Sequence, residues 1–311
     1  MTTKLAIVFP GQGSQSVGML ADLYQQFAVI KDTFTEASKA LGYDLWALVA
    51  NGPEADLNET HRTQPALLTA SVAVWRLWQQ QGGAQPAYFA GHSLGEYSAL
   101  VCAGVLSLAD AVKLVEKRGN YMQQAVPAGV GAMSAIIGLD DAAIALACEQ
   151  AAQGEVVSPV NYNSPGQVVI AGHKAAVERA GELCKAAGAK RALPLPVSVP
   201  SHCALMRPAA EQLAADLAAL NFNSAVIPVI NNVDVAIAAD AAAVKDALVR
   251  QLYSPVQWTQ TIEWLAAQGV THVLELGAGK VLSGLIKRID KNITAASVGD
   301  VASLQAALAA E

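Results

Sequence analysis

Charge and aromatic rings are both scarce in this chain: of 311 residues only 15% are charged and 5% aromatic. So small a charged fraction excludes a disordered, self-repelling polymer. The formal net charge of −6 leaves out the basic footprint of a nucleic-acid binder. The four cysteines (Cys102, Cys148, Cys184, Cys203) form no C-x-x-C pair and no metal spacing with the five histidines. That excludes a zinc framework or a disulfide scaffold, and free thiols in a reducing cytoplasm are expected. No apolar run is as long as a membrane span, and the one in MTTKLAIVFP is too short for a secretory signal. The expectation is a cytoplasmic protein with neither a membrane nor a nucleic-acid partner.

Apolar residues are plentiful, at 53%, enough for a well-buried core in one large domain or two smaller ones. KLAIVF (4–9) reads as a buried strand that opens into the loop PGQGSQSVG. Helical patterns then run to Gln81. AYFAG (87–91) is a second short strand, handing over directly to the helical stretch LGEYSALVCAG. The segment 129–197 differs: strand GAMSAIIGL, helix DDAAIALACEQAA, strands VVSPVNYN and QVVIAG, helix HKAAVERAGELCKAAG and strand KRALPLPV. This β-α-β-β-α-β order predicts a small ferredoxin-like domain, inserted into a large α/β domain made of 1–128 and 198–311. The large part resumes with helix ALMRPAAEQLAADLAAL, strand VIPVINN, two helices, strand HVLELG and a terminal helix. Strands alternating with helices on both sides of the insert predict an α/β-hydrolase-like parallel sheet.

At the second strand-to-helix handover stands GHSLGE (91–96), with Ser93 between Gly91 and Gly95. G-x-S-x-G in that context predicts a nucleophile elbow, which exposes the serine at the start of a helix. A serine hydroxyl needs a base to take its proton. His92 is adjacent, but consecutive side chains diverge at a sharp turn. His61, His173 and His272 have no companion chemistry around them. His202, in VSVPSHCAL, lies at another strand-to-helix junction and is the preferred base, with His92 second. Between Ser93 and His202 no Asp or Glu has an end-of-strand setting, so a Ser–His pair oriented by a backbone carbonyl is expected.

In SLADAVKLVEKRGNYMQ (107–123), Leu108, Ala111, Val112, Val115, Gly119 and Met122 form one apolar helical face, with Lys113, Lys117 and Asn120 opposite. Arg118 falls in the apolar arc, where an unpaired guanidinium costs several kcal/mol and must meet an anion. A protein carboxylate and a substrate carboxylate held bidentately remain equal candidates. The loop PGQGSQSVG lacks the glycine at 16 of a dinucleotide fingerprint and the lysine after Gly18 of a P-loop. It reads as a Gly-rich turn carrying Gln12, either a donor to an oxyanion hole or a solvent-facing side chain.

Together these stretches resemble the malonyl-CoA:acyl carrier protein transacylases of bacterial fatty acid synthesis. VFPGQGSQSVGM, TQPALL (63–68), GHSLGEYSALVCAG, VEKRGNYMQ, NYNSPGQVVIAG, LPVSVPSHCALM, QLYSPVQW and ELGAGKVLSGL carry the resemblance, in the family's order. It implies malonyl-CoA and a transiently bound acyl carrier protein as partners, no resident cofactor and a monomer. Ser93 would be the acylated nucleophile, His202 its general base, and Gln251 the residue whose main-chain carbonyl orients His202. Arg118 would bind the malonyl carboxylate, and the N–H groups of Gln12 and Leu94 would form the oxyanion hole. One departure is Ala278, between Gly277 and Gly279, where the family usually has proline with its fixed φ. A serine hydrolase such as a thioesterase shares the elbow but predicts a triad acid, and a carrier-docking module predicts no covalent intermediate. An acidic chain meeting an acidic carrier needs local basic clusters. The candidates are Lys185, Lys190 and Arg191, and Lys280, Lys287 and Arg288.

Overall fold

The structure, a computed structural model, describes residues 4–197 and 199–310. The expected domain boundary at 198 therefore falls on a residue outside the described ones. Strand β1 (Leu5–Phe9) is buried at all its positions, as its unbroken apolar run requires of a strand covered on both faces. The other strands are β2 (Tyr88–Gly91), β3 (Gly131–Ile137), β4 (Val157–Ser164), β5 (Gln167–His173), β6 (Arg191–Pro194), β7 (Val229–Ile230), β8 (His272–Leu276) and β9 (Thr294–Val298). They form two sheets. Five pair in the order β7-β2-β1-β8-β9, every pairing parallel. Four pair in the order β4-β5-β3-β6, every pairing antiparallel.

The helix Thr60–Gln80 is buried without a break from Thr63 to Trp75, because it runs through the core rather than over it. Trp75 meets Phe89 edge-on at 5.1 Å, and Phe89 meets Phe9 at 5.4 Å, which joins this helix to the parallel sheet. In the antiparallel sheet the two faces of β5 alternate. Val168 and Ile170 join Ile144, Cys148, Val177 and Cys184 of the helices Asp141–Ala152 and Lys174–Ala186. Val169 and Ala171 instead join Met133 and Cys203, so the second face lies against the chain that carries His202. A rung of backbone bonds also crosses between the sheets: Tyr162 N–H donates to Val256 C=O at 3.0 Å, and Val256 N–H to Val160 C=O at 2.8 Å.

Two expectations change. VIPVINN keeps only two residues as strand, since Pro228 has no N–H for a ladder and Asn231–Asn232 turn away. The chain does not stop at one helix after β8. It adds edge strand β9 and the helix Val301–Ala309, and TAASV is too short and weakly apolar to be read as a strand from sequence. Ala278 is 2% exposed, between two glycines of positive φ.

Candidate active site

Phe9 pairs with Gly91 in the β1–β2 register, so the loop after β1 and the turn after β2 emerge side by side at one end of the sheet. Ligands collect at this end in open α/β sheets. Ser93 sits at the N-cap of the helix Leu94–Cys102 with φ 52° and ψ −111°, a sparsely populated conformation that costs ~1–3 kcal/mol. A Cβ on Gly91 would lie 1.9 Å from the Gly95 carbonyl, and one on Gly95 would lie 2.1 Å from the Phe9 oxygen. Both glycines are thus demanded by close approach of backbone. A Cβ on Gly11 would meet the His92 oxygen at 2.5 Å, which seats the Gln12 loop directly against the elbow.

Ser93 Oγ is 2.7 Å from His202 Nε2. His202 Nδ1 lies 2.7 Å from the main-chain oxygen of Gln251, so Nδ1 carries the hydrogen and Nε2 is left as the acceptor facing the serine. Burial first, and the nearby Arg118 charge second, push the His202 pKa down to about 3. The imidazole is neutral near pH 7, as a proton acceptor must be. Each of the other histidines is engaged elsewhere: His92 Nε2 with Asn163 at 2.8 Å, His61 with Gln123, His173 with the Val156 N–H and His272 with Thr271. Of the two candidate bases, His202 is the one brought to Ser93, and His92 is not.

Arg118 is 1% exposed. Its Nη1 donates to Gln64 Oε1 at 2.7 Å, and its Nη2 to Gln251 Oε1 at 3.0 Å and to Ser93 Oγ at 3.3 Å. The Tyr97 ring lies 5.3 Å from the guanidinium carbon, and among the described residues Nε has no acceptor. Among the described residues no carboxylate lies within ion-pair distance of Arg118. A buried cation therefore stands beside the serine oxygen with only neutral groups in direct contact. Of the two candidate partners, the protein carboxylate in direct contact is not there.

Behind the serine the polar groups interlock. Asn232, just past β7, accepts from Ser93 N–H at 2.8 Å and donates to Gly91 C=O at 2.6 Å. Glu96, 2% exposed, accepts from Asn232 N–H at 3.0 Å and from Gln251 Nε2 at 2.9 Å. Burial raises the Glu96 pKa to about 7. Gln251 Nε2 also donates to Ser93 C=O at 3.0 Å. The N–H groups of Gln12 and Leu94 have no acceptor among the described residues, while the Gln12 side chain turns to Thr60 Oγ1 at 3.3 Å.

The acyl transferase domain family matches residues 6–306. The chain belongs to this acyl transferase family. It is 68% identical over 306 residues to the malonyl CoA-acyl carrier protein transacylase of Salmonella typhimurium, covering 98% of this chain and 99% of that one. Among solved structures it is similar to an acyl carrier protein S-malonyltransferase from Vibrio cholerae, 71% identical with a TM-score of 0.96, over 98% of this chain and 99% of the other. It is also similar to a malonyl-transacylase solved in complex with a type II PKS acyl-carrier protein, 62% identical with a TM-score of 0.98, over 99% and 100% of the two chains.

In this acyl transferase Ser93, His202, Gln251 and Arg118, far apart in sequence, meet in one hydrogen-bonded cluster, with the Gln12 loop packed on the elbow. Sequence reasoning did not single out Gln64, Asn232 or Glu96. Gln64 lies in TQPALL and Glu96 closes GHSLGE, so their motifs were visible. Their roles were not, since an exposed and a buried amide look alike in sequence. Asn232 gave no signal beyond its place at the end of a strand.

Proposed function

We propose that this acyl transferase moves a malonyl group from malonyl-CoA to the phosphopantetheine thiol of an acyl carrier protein by two successive displacements through malonyl-Ser93. The observation that carries this reading is the Ser93–His202–Gln251 hydrogen-bond chain beside Arg118, a buried cation with no carboxylate within ion-pair distance among the described residues. Ser93 Oγ attacks the thioester carbonyl as its proton passes to His202 Nε2. Carbonyl oxygen charge is met by the N–H groups of Gln12 and Leu94, each such donor worth ~3 kcal/mol. The C–S bond breaks, and CoA leaves with the proton from His202. The carrier thiol then gives its proton to His202, attacks the ester, and releases Ser93 Oγ, which recovers the proton. Arg118 pairs with the malonyl carboxylate and disfavours acyl groups that lack one. One thioester replaces another, so the transfer calls for no resident cofactor.

The basic clusters expected to meet the carrier are drawn together by the fold. Arg191 on β6 pairs with Ile137, Ile137 pairs with Gln167, and Gln167 Oε1 accepts from Arg288 Nη1 at 2.9 Å. Arg191 of the first cluster and Arg288 of the second are thereby linked across this sheet edge, whereas Lys185 is tied to Glu182 at 2.6 Å. We read the antiparallel sheet as a ferredoxin-like domain, residues 129–197, inserted into a hydrolase-like domain of 1–128 and 198–311. Its strand order and the helices on one face support that reading. The protein is read as a cytoplasmic monomer that meets its carrier transiently.

The test is the intact mass after brief mixing with malonyl-CoA alone, beside Ser93→Ala. One malonyl adduct on the wild type, and none on the variant, is expected. Malonate released to water with no adduct would mean a hydrolase instead.

A further inference from the structure

We infer that Glu96 is a positioning residue of this site: through the Gln251 amide it fixes both Arg118 and the carbonyl that orients His202, and it supplies the negative charge Arg118 lacks until a substrate carboxylate arrives. The inference rests on the transfer reading above. Gln251 is fully buried, and one residue serves both halves of the chemistry. Its main-chain oxygen takes His202 Nδ1, and its side-chain oxygen takes Arg118 Nη2. The amide can face only one way, because turning it would set its N–H groups against the guanidinium. With the oxygen on Arg118, Nε2 must find acceptors on the far side, where it meets Glu96 Oε2 and Ser93 C=O. The same Glu96 oxygen holds Asn232 N–H, and Asn232 in turn holds Ser93 N–H. A single carboxylate oxygen thus sits behind serine, histidine and arginine at once.

Charge leads to the same residue. Arg118 touches only neutral partners directly. Its nearest route to a negative group is one amide long: guanidinium to Gln251 oxygen, Gln251 nitrogen to Glu96. Asp234, the other acid whose field reaches Glu96, is paired in a fork with Arg250 at 2.8 Å and is spent there. Glu96 offers no direct ion pair that an incoming carboxylate would have to displace. Arg118 is balanced across the amide, and the group it meets on its other side is the neutral Ser93 hydroxyl.

The experiment compares Glu96→Ala and Glu96→Gln with wild type, each given malonyl-CoA and acetyl-CoA, and reads acyl-Ser93 formation by intact mass against time. Glu96→Ala is expected to lower malonyl transfer on the order of 100-fold, the loss that accompanies a misplaced catalytic group, and to narrow the malonyl-to-acetyl ratio. Read at pH 8, above the Glu96 pKa of about 7, Glu96→Gln keeps an acceptor for both N–H groups and restores most of the rate, and it lowers KM for malonyl-CoA because the competing anion is gone. An unchanged malonyl-to-acetyl ratio in Glu96→Ala, or a Glu96→Gln variant as slow as Glu96→Ala, overturns the positioning role. An unchanged KM in Glu96→Gln overturns the counter-charge. If Glu96→Ala does not fold, Glu96→Asp carries the same comparison, its carboxylate one methylene short of Gln251. A wild type that forms no malonyl adduct overturns the transfer reading itself, which separates the two failures.

Discussion

Replacing Arg118 by methionine removes the charge and keeps most of the side-chain length. In the wild type the guanidinium is bound by Gln64, Gln251 and Ser93 and is 1% exposed. A malonyl carboxylate entering the variant would be stripped of water and left without a cation. Losing one partner of such a buried pair costs ~3–5 kcal/mol. At 1.36 kcal/mol per factor of ten, kcat/KM for malonyl-CoA should fall by roughly 10²–10⁴. Acetyl-CoA brings no carboxylate, so its acylation rate should change far less. Competition between the two donors, read as the masses of the acyl-enzymes formed, gives the ratio directly. A second readout is the pH profile of acylation. Arg118 is the second cause, after burial, of the low His202 pKa, so its removal should move the acid limb to higher pH. The thermal midpoint should fall modestly, since the buried oxygens of Gln64 and Gln251 both lose their donor. A variant that keeps the wild-type malonyl-to-acetyl ratio would refute the role given to Arg118.

Glu96→Gln should also change how stability depends on pH. The folded pKa of Glu96 is raised to about 7, so between its unfolded value and 7 the native state holds the extra proton and stability falls as pH rises. His202, lowered to about 3, has the opposite sign: only the unfolded state takes its proton there, and stability falls as pH falls. Removing Glu96 leaves the histidine slope unopposed. The variant should therefore gain on wild type by about 1.4 kcal/mol per pH unit between pH 5 and 7, and parallel urea curves would refute this. Gly95→Ala drives a Cβ to 2.1 Å from the Phe9 oxygen and should cost ~3 kcal/mol or more in a urea melt. Gly284→Ala, in the helix Val281–Ile289 with open space around it, should stabilise by ~0.5–1 kcal/mol. Cys203, 1% exposed with its thiol pushed up to about 11 by burial, should resist alkylation in the native protein despite its place beside His202 and react only on unfolding.

Local chemistry was legible wherever backbone geometry forces a residue type. The glycines around Ser93 are dictated by contacts under 2.5 Å, and such constraints leave a spacing that can be read. The buried arc of the helix Leu108–Ala125, Arg118 included, followed from counting alone. What sequence could not give was the partner of each buried polar group. Glu96 and Gln251 are separated by 155 residues and meet only because Asn232 and the elbow bring them together. Periodicity describes one element at a time, so it is silent on such meetings. Edge strand β9 was missed for a related reason: five residues whose first and third positions are exposed resemble a loop.

The backbone rung from Val160 and Tyr162 to Val256 ties the antiparallel sheet to the chain five residues beyond Gln251. Nucleophile and base stand 109 residues apart in sequence, with that sheet's strands between them. A newly made chain whose antiparallel sheet has not yet docked would hold Ser93 without its base, unable to open a thioester. The rung thus ties reactivity to docking: Ser93 and His202 meet only where the antiparallel sheet is seated on the chain beyond Gln251.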